Sequence, residues 1–167
     1  MAVREVLRYP HPALKQRARP LGEDERETIE RVAEDLVDTM RAHERCVGVA
    51  APQLGELVRM VVVDVTEHPK AQSRNGLLVL VNPEVVRAEG SVVMREGCLS
   101  IPDFTANVRR ATDVTIEARA PDGSQVRIDS DAFEARCLLH ELDHLDGLLF
   151  LDRVDSLATD VFRRRRY

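Results

Sequence analysis

The chain has few cysteines and no long apolar stretch. Its three cysteines, Cys46, Cys98 and Cys137, are an odd number at wide spacing, which argues against a disulfide framework and for a reducing compartment. The longest apolar runs, such as residues 77–81, are far too short to cross a bilayer. The first twelve residues contain two arginines and two prolines, so the apolar centre of a signal peptide does not fit there. We therefore expect a cytoplasmic protein without a membrane partner.

The chain also lacks a strong charge of either sign, internal repeats and low-complexity segments. A formal net charge of -5 gives no reason to expect a nucleic acid as the main partner, and direct DNA binding is not predicted. The exception is the basic cluster Arg163–Arg166, which is either a solvated chain end or a contact with a polyanion such as ribosomal RNA. With 44% hydrophobic residues, residues 1–167 suffice for a single domain with its own core.

Hydrophobic periodicity predicts an α+β fold. A 3.6-residue period follows Asp24 and Glu27, which resemble a capping box, and it predicts a helix that ends near His43. A short C-terminal helix is predicted around Ser156 to Arg165. Pro102 is expected to end a strand, because proline cannot donate to a sheet. Helices scattered among antiparallel hairpins are typical of an α+β domain. Apolar runs and alternation predict strands at 58–65, 77–82, 91–94, 114–118 and 126–128, the last two joined by a hairpin turn at 121–124.

A His-Glu-x-x-His pattern is the most informative local signal in the chain. It consists of His140, Glu141 and His144. On a helix, positions i and i+4 lie one above the other, so two imidazoles at this spacing can bind one metal ion. The glutamate between them can then handle the proton of a metal-bound water. Ordinary core or surface histidines are the alternative interpretation, and the pattern leaves a third ligand unassigned.

The residues around this pattern predict a buried central helix. Asp131 and Glu134 resemble a capping box at its start, and Gly147 stands where a C-terminal cap is expected. Apolar side chains cover nearly all of its circumference. We expect antiparallel sheets packed around this helix.

Two further stretches contain small residues beside polar ones. Residues 46–55 are rich in glycine and alanine, which allow close approach to the backbone, and Gln53 supplies an amide with two donors. In residues 95–102, Gly97 frees the backbone beside Cys98. The alternative interpretation of residues 46–55 is a tight loop packed against a helix. The alternative interpretation of Cys98 is a small buried hydrophobic residue.

Taken together, these three stretches resemble the motifs of the peptide deformylases. Residues 46–53 (CVGVAAPQ) resemble the motif Gly-hydrophobic-Gly-hydrophobic-Ala-Ala-x-Gln. Residues 96–100 (EGCLS) match the second motif in full, and residues 139–145 (LHELDHL) resemble the helix motif Gln-His-Glu-x-Asp-His-Leu. Their order and spacing extend the resemblance over essentially the whole chain.

The resemblance implies a metal-dependent hydrolase that takes part in N-terminal methionine processing in bacteria. Cys98, His140 and His144 would bind one divalent metal, with water at a fourth position. Ligand chemistry alone favours zinc, whereas the resemblance implies Fe(II), with nickel, cobalt or zinc able to substitute. Metal-bound water would attack the formyl carbonyl of N-terminal formyl-methionine on nascent polypeptides and release formate. Glu141 would act as general base and then as general acid.

The resemblance also assigns the groups that bind the substrate. The side-chain amide of Gln53 and the backbone N–H of Leu99 would stabilise the negative charge on the carbonyl oxygen. Gly48 would let the substrate backbone lie extended against the loop, and Val47 and Cys137 are expected to line the methionine pocket.

Two departures from the family motifs bear on activity. Cys46 stands where the family has glycine, and Leu139 replaces a glutamine. They leave open a non-catalytic relative that binds ribosomes or nascent chains, and a peptidase that uses the helix motif alone is a further alternative.

Overall fold

The computed structural model describes residues 2–164. In this range the chain forms two α-helices and eight strands. The helices are α1 (Arg26–Ala42) and α2 (Ala132–Leu145). The strands are β1 (Gly48–Ala50), β2 (Met60–Val63), β3 (Leu78–Glu89), β4 (Val92–Cys98), β5 (Ile101–Arg110), β6 (Asp113–Arg119), β7 (Gln125–Asp131) and β8 (Val161–Arg163).

The strands of the described range form two antiparallel sheets. The larger has the order β1-β2-β3-β6-β7, and the smaller has the order β4-β5-β8. The predicted hairpin of β6 and β7 is confirmed, with Gly123 of its turn at a φ of 89° that favours glycine. The predicted α+β class with antiparallel sheets is therefore confirmed.

The two helices pack on opposite faces of the larger sheet. Because side chains alternate along a strand, the buried strand β2 serves two separate cores. Val61 and Val63 lie in a cluster with the leucines of α2, while Met60 and Val62 lie in a second cluster with Leu36 and other residues of α1. Each fully buried apolar side chain of this kind contributes roughly 1.5–3 kcal/mol to the stability of the fold. The smaller sheet has a third core around Phe150, and Cys98 belongs to it.

The expected C-terminal helix around Ser156 to Arg165 is wrong. A 3₁₀ turn at Phe150–Arg153 is followed by β8, which pairs antiparallel with β5 through Val161, Phe162 and Arg163. The partner strand lies 55 or more residues earlier in the chain, so a short segment that helical periodicity fits poorly is decided by a long-range contact. Arg165 and Arg166 lie outside the described residues.

Pro102 lies within β5, and the expectation that it ends a strand is wrong. Cys98 pairs with Ile101 across a two-residue turn, and the register then shifts before Glu96 pairs with Ala106. The missing N–H of Pro102 falls in this irregular part of the hairpin, where proline is tolerated.

Neither helix start has the predicted capping box. Glu25, rather than Asp24, precedes α1 and makes no side-chain cap. Asp131 precedes α2, but its carboxylate accepts hydrogen bonds from Ser73, while the Glu134 carboxylate accepts from Ser130 and from the backbone N–H of Asn75. In the range 2–164, no helix is both long enough and apolar enough to pass through a bilayer.

Candidate metal centre

One thiol and two imidazoles converge between the two sheets. One potential ligand atom from each of Cys98, His140 and His144 lies within 4.8 Å of the others, and all three residues are buried. The two histidines are one helical turn apart on α2, while Cys98 ends β4 at the turn into β5. The centre therefore forms where the helix on the larger sheet meets the edge of the smaller one.

The spacing of these atoms fits a tetrahedral ion. The Sγ of Cys98 lies 3.5 Å from Nε2 of His144. A thiolate at ~2.3 Å and an imidazole nitrogen at ~2.0–2.1 Å from a tetrahedral centre would lie ~3.5 Å apart. Three protein ligands leave a fourth position open, as in catalytic rather than structural sites. The donor set and its geometry therefore suit a catalytic divalent metal.

Glu96 orients one of the imidazoles. Its Oε1 lies 2.8 Å from Nδ1 of His140, so Nε2 of that ring is left to face the centre. The same carboxylate accepts hydrogen bonds from Arg110 at 2.5 and 3.0 Å and from Arg136. Burial alone would raise the pKa of Glu96, but the bonds from His140 and Arg110 outweigh it and lower that pKa to about 2. Glu96 is thus a buried carboxylate that stays ionised.

The charged network continues to the far side of α2. Arg110 also donates to Asp143 at 2.9 Å, and Arg153 donates to both oxygens of Asp143. Glu96, Arg110, Arg136 and Asp143 are all buried. The sequence patterns assign no role to these four side chains. The sequence signal for this network is the presence of charged residues within apolar or alternating segments. Such residues are seldom buried unless they are paired, so they indicate buried ion pairs.

Glu141 lies beside the three ligands in an enclosed position. It is buried, and its Oε1 has no hydrogen-bond partner among the described residues. Burial raises the pKa of Glu141 to about 7, although His140 and Arg110 oppose the shift. A Cβ atom on Gly48 would lie 2.8 Å from Oε2 of this carboxylate. Glycine at position 48 is therefore required for Glu141 to occupy this place.

Gln53 brings a side-chain amide next to Cys98. It lies in a 3₁₀ turn after β1, and its Oε1 accepts a hydrogen bond of 2.9 Å from the backbone N–H of Ala50. This bond fixes the amide so that Nε2 donates to Oγ of Ser100 at 3.1 Å and lies 3.5 Å from Sγ of Cys98. The side chain is 1% exposed, so its donors act in a dry environment.

A cavity of about 360 Å³ leads from the surface to these groups. The site residues named from the sequence line this cavity, except His144, which is 1% exposed. Leu99 reaches the cavity from the turn between β4 and β5. Cys137 is also in the cavity wall, and burial raises the pKa of its thiol well above the usual value. The volume of the cavity lies at the lower end of the range for small-molecule binding sites. The named residues in the cavity wall are Val47, Gly48, Gln53, Cys98, Leu99, Cys137, His140 and Glu141.

The two departures from the family motifs lie outside the three candidate metal ligands, and only Cys46 lines the cavity. Cys46 is half-buried, and its Sγ donates to the carbonyl of Gly48 at 3.3 Å. Burial raises the pKa of this thiol to about 12. Leu139 is half-buried and packs on the apolar core rather than on the ligands.

Comparison with known proteins shows one consistent family. The sequence profile described as polypeptide deformylase matches residues 3–160. The peptide deformylase of Thermodesulfovibrio yellowstonii is 36% identical and covers 99% of this chain and 97% of its own. That of Desulforudis audaxviator is 42% identical and covers 99% of both. The crystal structure of a class I type b peptide deformylase from Acinetobacter baumannii superposes with a TM-score of 0.85 at 32% identity, covering 92% of this chain and 100% of its own.

Proposed function

The chain belongs to the polypeptide deformylase family, and we propose that Cys98, His140 and His144 bind the divalent metal on which its activity depends. The enzyme is a hydrolase that removes the formyl group from nascent polypeptides. The observation that carries the ligand assignment is the convergence of the three donor atoms within 4.8 Å beside a buried carboxylate. A metal in such a site supplies a water of lowered pKa as the nucleophile.

Fe(II) is the metal that we propose for this centre, with nickel, cobalt or zinc able to substitute. A thiolate and two imidazoles form a donor set that accepts any of these borderline divalent ions. A cysteine ligand beside ferrous iron also makes the activity sensitive to oxygen, because both can be oxidised.

Glu141 is the proton carrier in this proposal. Its carboxylate is enclosed in the cavity wall next to the ligands, and it has an oxygen to which no described residue donates. A pKa of about 7 lets the group take a proton and return it near neutral pH. It would accept a proton from the attacking water and later deliver it to the departing amine.

Gln53 and Leu99 would stabilise the negative charge on the formyl oxygen. The Gln53 amide is held in place by Ala50 and Ser100 before any substrate arrives. Donors fixed in advance cost no reorganisation when charge develops, and this is the basis of oxyanion stabilisation. Leu99 lines the cavity from the turn that follows Cys98, and its backbone N–H would be the second donor in this proposal.

Gly48, Val47 and Cys137 would receive the substrate. Gly48 forms an edge of the cavity with no side chain, beside which an extended peptide could lie. Val47 and Cys137 supply apolar surface for the methionine side chain.

Replacing Gln53 by Glu is expected to lower kcat by roughly 10²–10³-fold. The new carboxylate can still accept from Ala50, but it has no N–H to offer the substrate. Formate release and metal content should be measured on the same samples. Gln125→Glu makes the same change on an exposed residue of β7 and should keep wild-type kcat. A Gln53→Glu enzyme with wild-type kcat would remove Gln53 from the mechanism.

The proposed function is tested by formate release together with metal analysis after anaerobic purification. The wild-type protein is expected to contain iron and to release formate from formyl-Met-Ala. Cys98→Ser should lose most of the iron and the activity, because a harder oxygen replaces a thiolate. Cys46→Ser, which changes a cysteine that is not among the ligands, should keep its iron. Full iron content in Cys98→Ser would contradict the ligand set, and an iron-loaded wild type that releases no formate would contradict the activity.

A contact between Arg163–Arg166 and ribosomal RNA stays a prediction, as does a cytoplasmic location. The described residues place Arg163 in β8, exposed, which leaves its side chain accessible to a polyanion.

A further inference from the structure

The loop between β2 and β3, residues 64–77, brings an imidazole to the start of α2. Its His68 stacks on Phe133, with ring centroids 3.9 Å apart and ring planes 11° from parallel. Phe133 lines the catalytic cavity, whereas His68 is not among the described residues of the cavity wall. We propose that His68 is a positioning residue that holds Phe133 and thereby sets the width of the pocket for the first side chain of the substrate. This inference rests on the proposed function and adds a determinant of specificity to it.

Phe133 stands where it can shape that pocket. It lies four positions before Cys137 on α2, so the two side chains are neighbours on one face of the helix. Both residues line the cavity together with Val47, and all three take part in the same apolar core. Val47 and Cys137 are the residues proposed to receive the methionine side chain. The orientation of the Phe133 ring therefore affects how much space that side chain has.

The ring of Phe133 needs support from outside the cavity. Phe133 is half-buried, so the apolar core alone does not confine its ring. Partly exposed side chains exchange between staggered rotamers within picoseconds to nanoseconds. The imidazole of His68 covers one face of the ring, and an aromatic pair adds a preferred geometry to the burial of apolar surface. The stack therefore favours one orientation of Phe133.

The imidazole is itself fixed by its own loop. Nδ1 of His68 accepts a hydrogen bond of 3.1 Å from the backbone N–H of Lys70, which places the ring proton on Nε2. Burial lowers the pKa of His68, and the positive charges of Lys70 and Arg74 lower it further. The ring is thus neutral at pH 7, and it stacks on the phenylalanine without the burial of a charge.

The loop is attached to the first turn of α2 on both sides of the stack. The Arg74 guanidinium donates to two backbone carbonyls of the same loop and so folds the loop on itself. Oγ of Ser73 donates to the carboxylate of Asp131 at 2.6 Å, and the backbone N–H of Asn75 donates to Glu134 at 2.8 Å. These two carboxylates flank the stacked phenylalanine in the sequence. The imidazole therefore has a fixed place relative to the helix.

The experiment removes the imidazole while keeping the hydrogen bond of the loop. In His68→Asn, the side-chain oxygen can still accept from the backbone N–H of Lys70, as in an Asx turn, so the loop should keep its fold. We measure kcat and KM for formyl-Met-Ala-Ala-amide, formyl-Ala-Ala-Ala-amide and formyl-Phe-Ala-Ala-amide. The ratio of kcat/KM between the Met and Ala peptides should fall by roughly two- to tenfold, which is the usual contribution of an aromatic pair. The loss should lie mainly in KM, and the bulky Phe peptide should gain relative to the Met peptide.

Further variants separate the stack from a general loss of structure. His68→Phe keeps an aromatic ring on Phe133 and should restore the Met-to-Ala ratio. In a Phe133→Ala background, His68→Asn should have no further effect on the ratio, because the proposed influence passes through that one ring. His11→Asn is the matched control, since Nδ1 of His11 also accepts from the backbone N–H two residues later at 3.1 Å. His11 is not among the described residues of the cavity wall, so its variant should keep the wild-type ratio.

Three results would overturn the inference. The first is a wild-type Met-to-Ala ratio in His68→Asn, and the second is a ratio in His68→Phe as low as in His68→Asn. The third is an equal effect of His68→Asn with and without the Phe133 ring. Failure of the wild-type enzyme to release formate from the Met peptide would instead contradict the proposed function.

Discussion

Replacing Glu141 by Gln is expected to reduce turnover by roughly 10²–10⁴-fold while the protein keeps its fold and its metal. The amide has the same size as the carboxylate, so it fits beside Gly48 in the same enclosed position. It cannot accept and return a proton near neutral pH. The measurements are formate release, metal content and the thermal unfolding midpoint of the same preparations.

A second glutamate of α2 provides the control for this variant. Glu134 is fully buried on the same helix, but it bonds to Asn75 and Ser130 and does not border the cavity. Glu134→Gln should lower the unfolding midpoint and leave kcat of the folded enzyme close to wild type. In Glu141→Gln we expect the opposite result, a large loss of kcat with an unchanged unfolding midpoint. This contrast would separate a role in proton transfer from the general effect of replacing a buried glutamate. Turnover within about tenfold of wild type in Glu141→Gln would exclude its catalytic role.

Glu96→Gln is expected to lower the free energy of unfolding by about 3–5 kcal/mol, the usual cost of breaking a buried ion pair. The Glu96 carboxylate forms ion pairs with Arg110 and Arg136. In the Gln variant these two buried guanidiniums lose that negative partner. The same change weakens the bond that orients His140, so metal affinity should fall by ~10–100-fold. Denaturant unfolding of metal-free protein isolates the first effect, and metal titration measures the second.

An exposed ion pair supplies the comparison for Glu96. Glu89 lies 3.3 Å from Arg87 on the surface, and Glu89→Gln should cost less than about 1 kcal/mol. If Glu96→Gln cost no more than this, the network around it would not be a stabilising element. Wild-type metal affinity in Glu96→Gln would show that His140 needs no anionic partner.

The parts of the site that the sequence predicts are those that local spacing determines. His140 and His144 are brought together by the period of one helix, whatever surrounds it. The resemblance to the family motifs indicated Cys98 and Gln53 as site residues. In the structure, Nε2 of Gln53 lies 3.5 Å from Sγ of Cys98. Their catalytic roles stay predictions until the variants above are measured.

The parts that the sequence does not predict depend on partners far along the chain. The pairing of β8 with β5 and the bonds of Glu96 to Arg110 and Arg136 join residues separated by 14 or more positions. A charged residue in an apolar segment signals that a partner exists, but not which one. The position of Arg164 above Gly97 is likewise a result of tertiary pairing.

The pleat of β4 has a consequence for how the centre assembles. Glu96 and Cys98 both point to its buried side, two positions apart. A misalignment of β4 against β5 by one residue would turn both outward and bring Gly97 and Leu99 inward in their place. The ligand and the carboxylate that orients its neighbour would disappear together, so a misfolded chain would have no centre at all rather than a weakened one. An insertion or deletion in the two-residue turn after Cys98 that shifts this register by one residue would therefore remove both groups together.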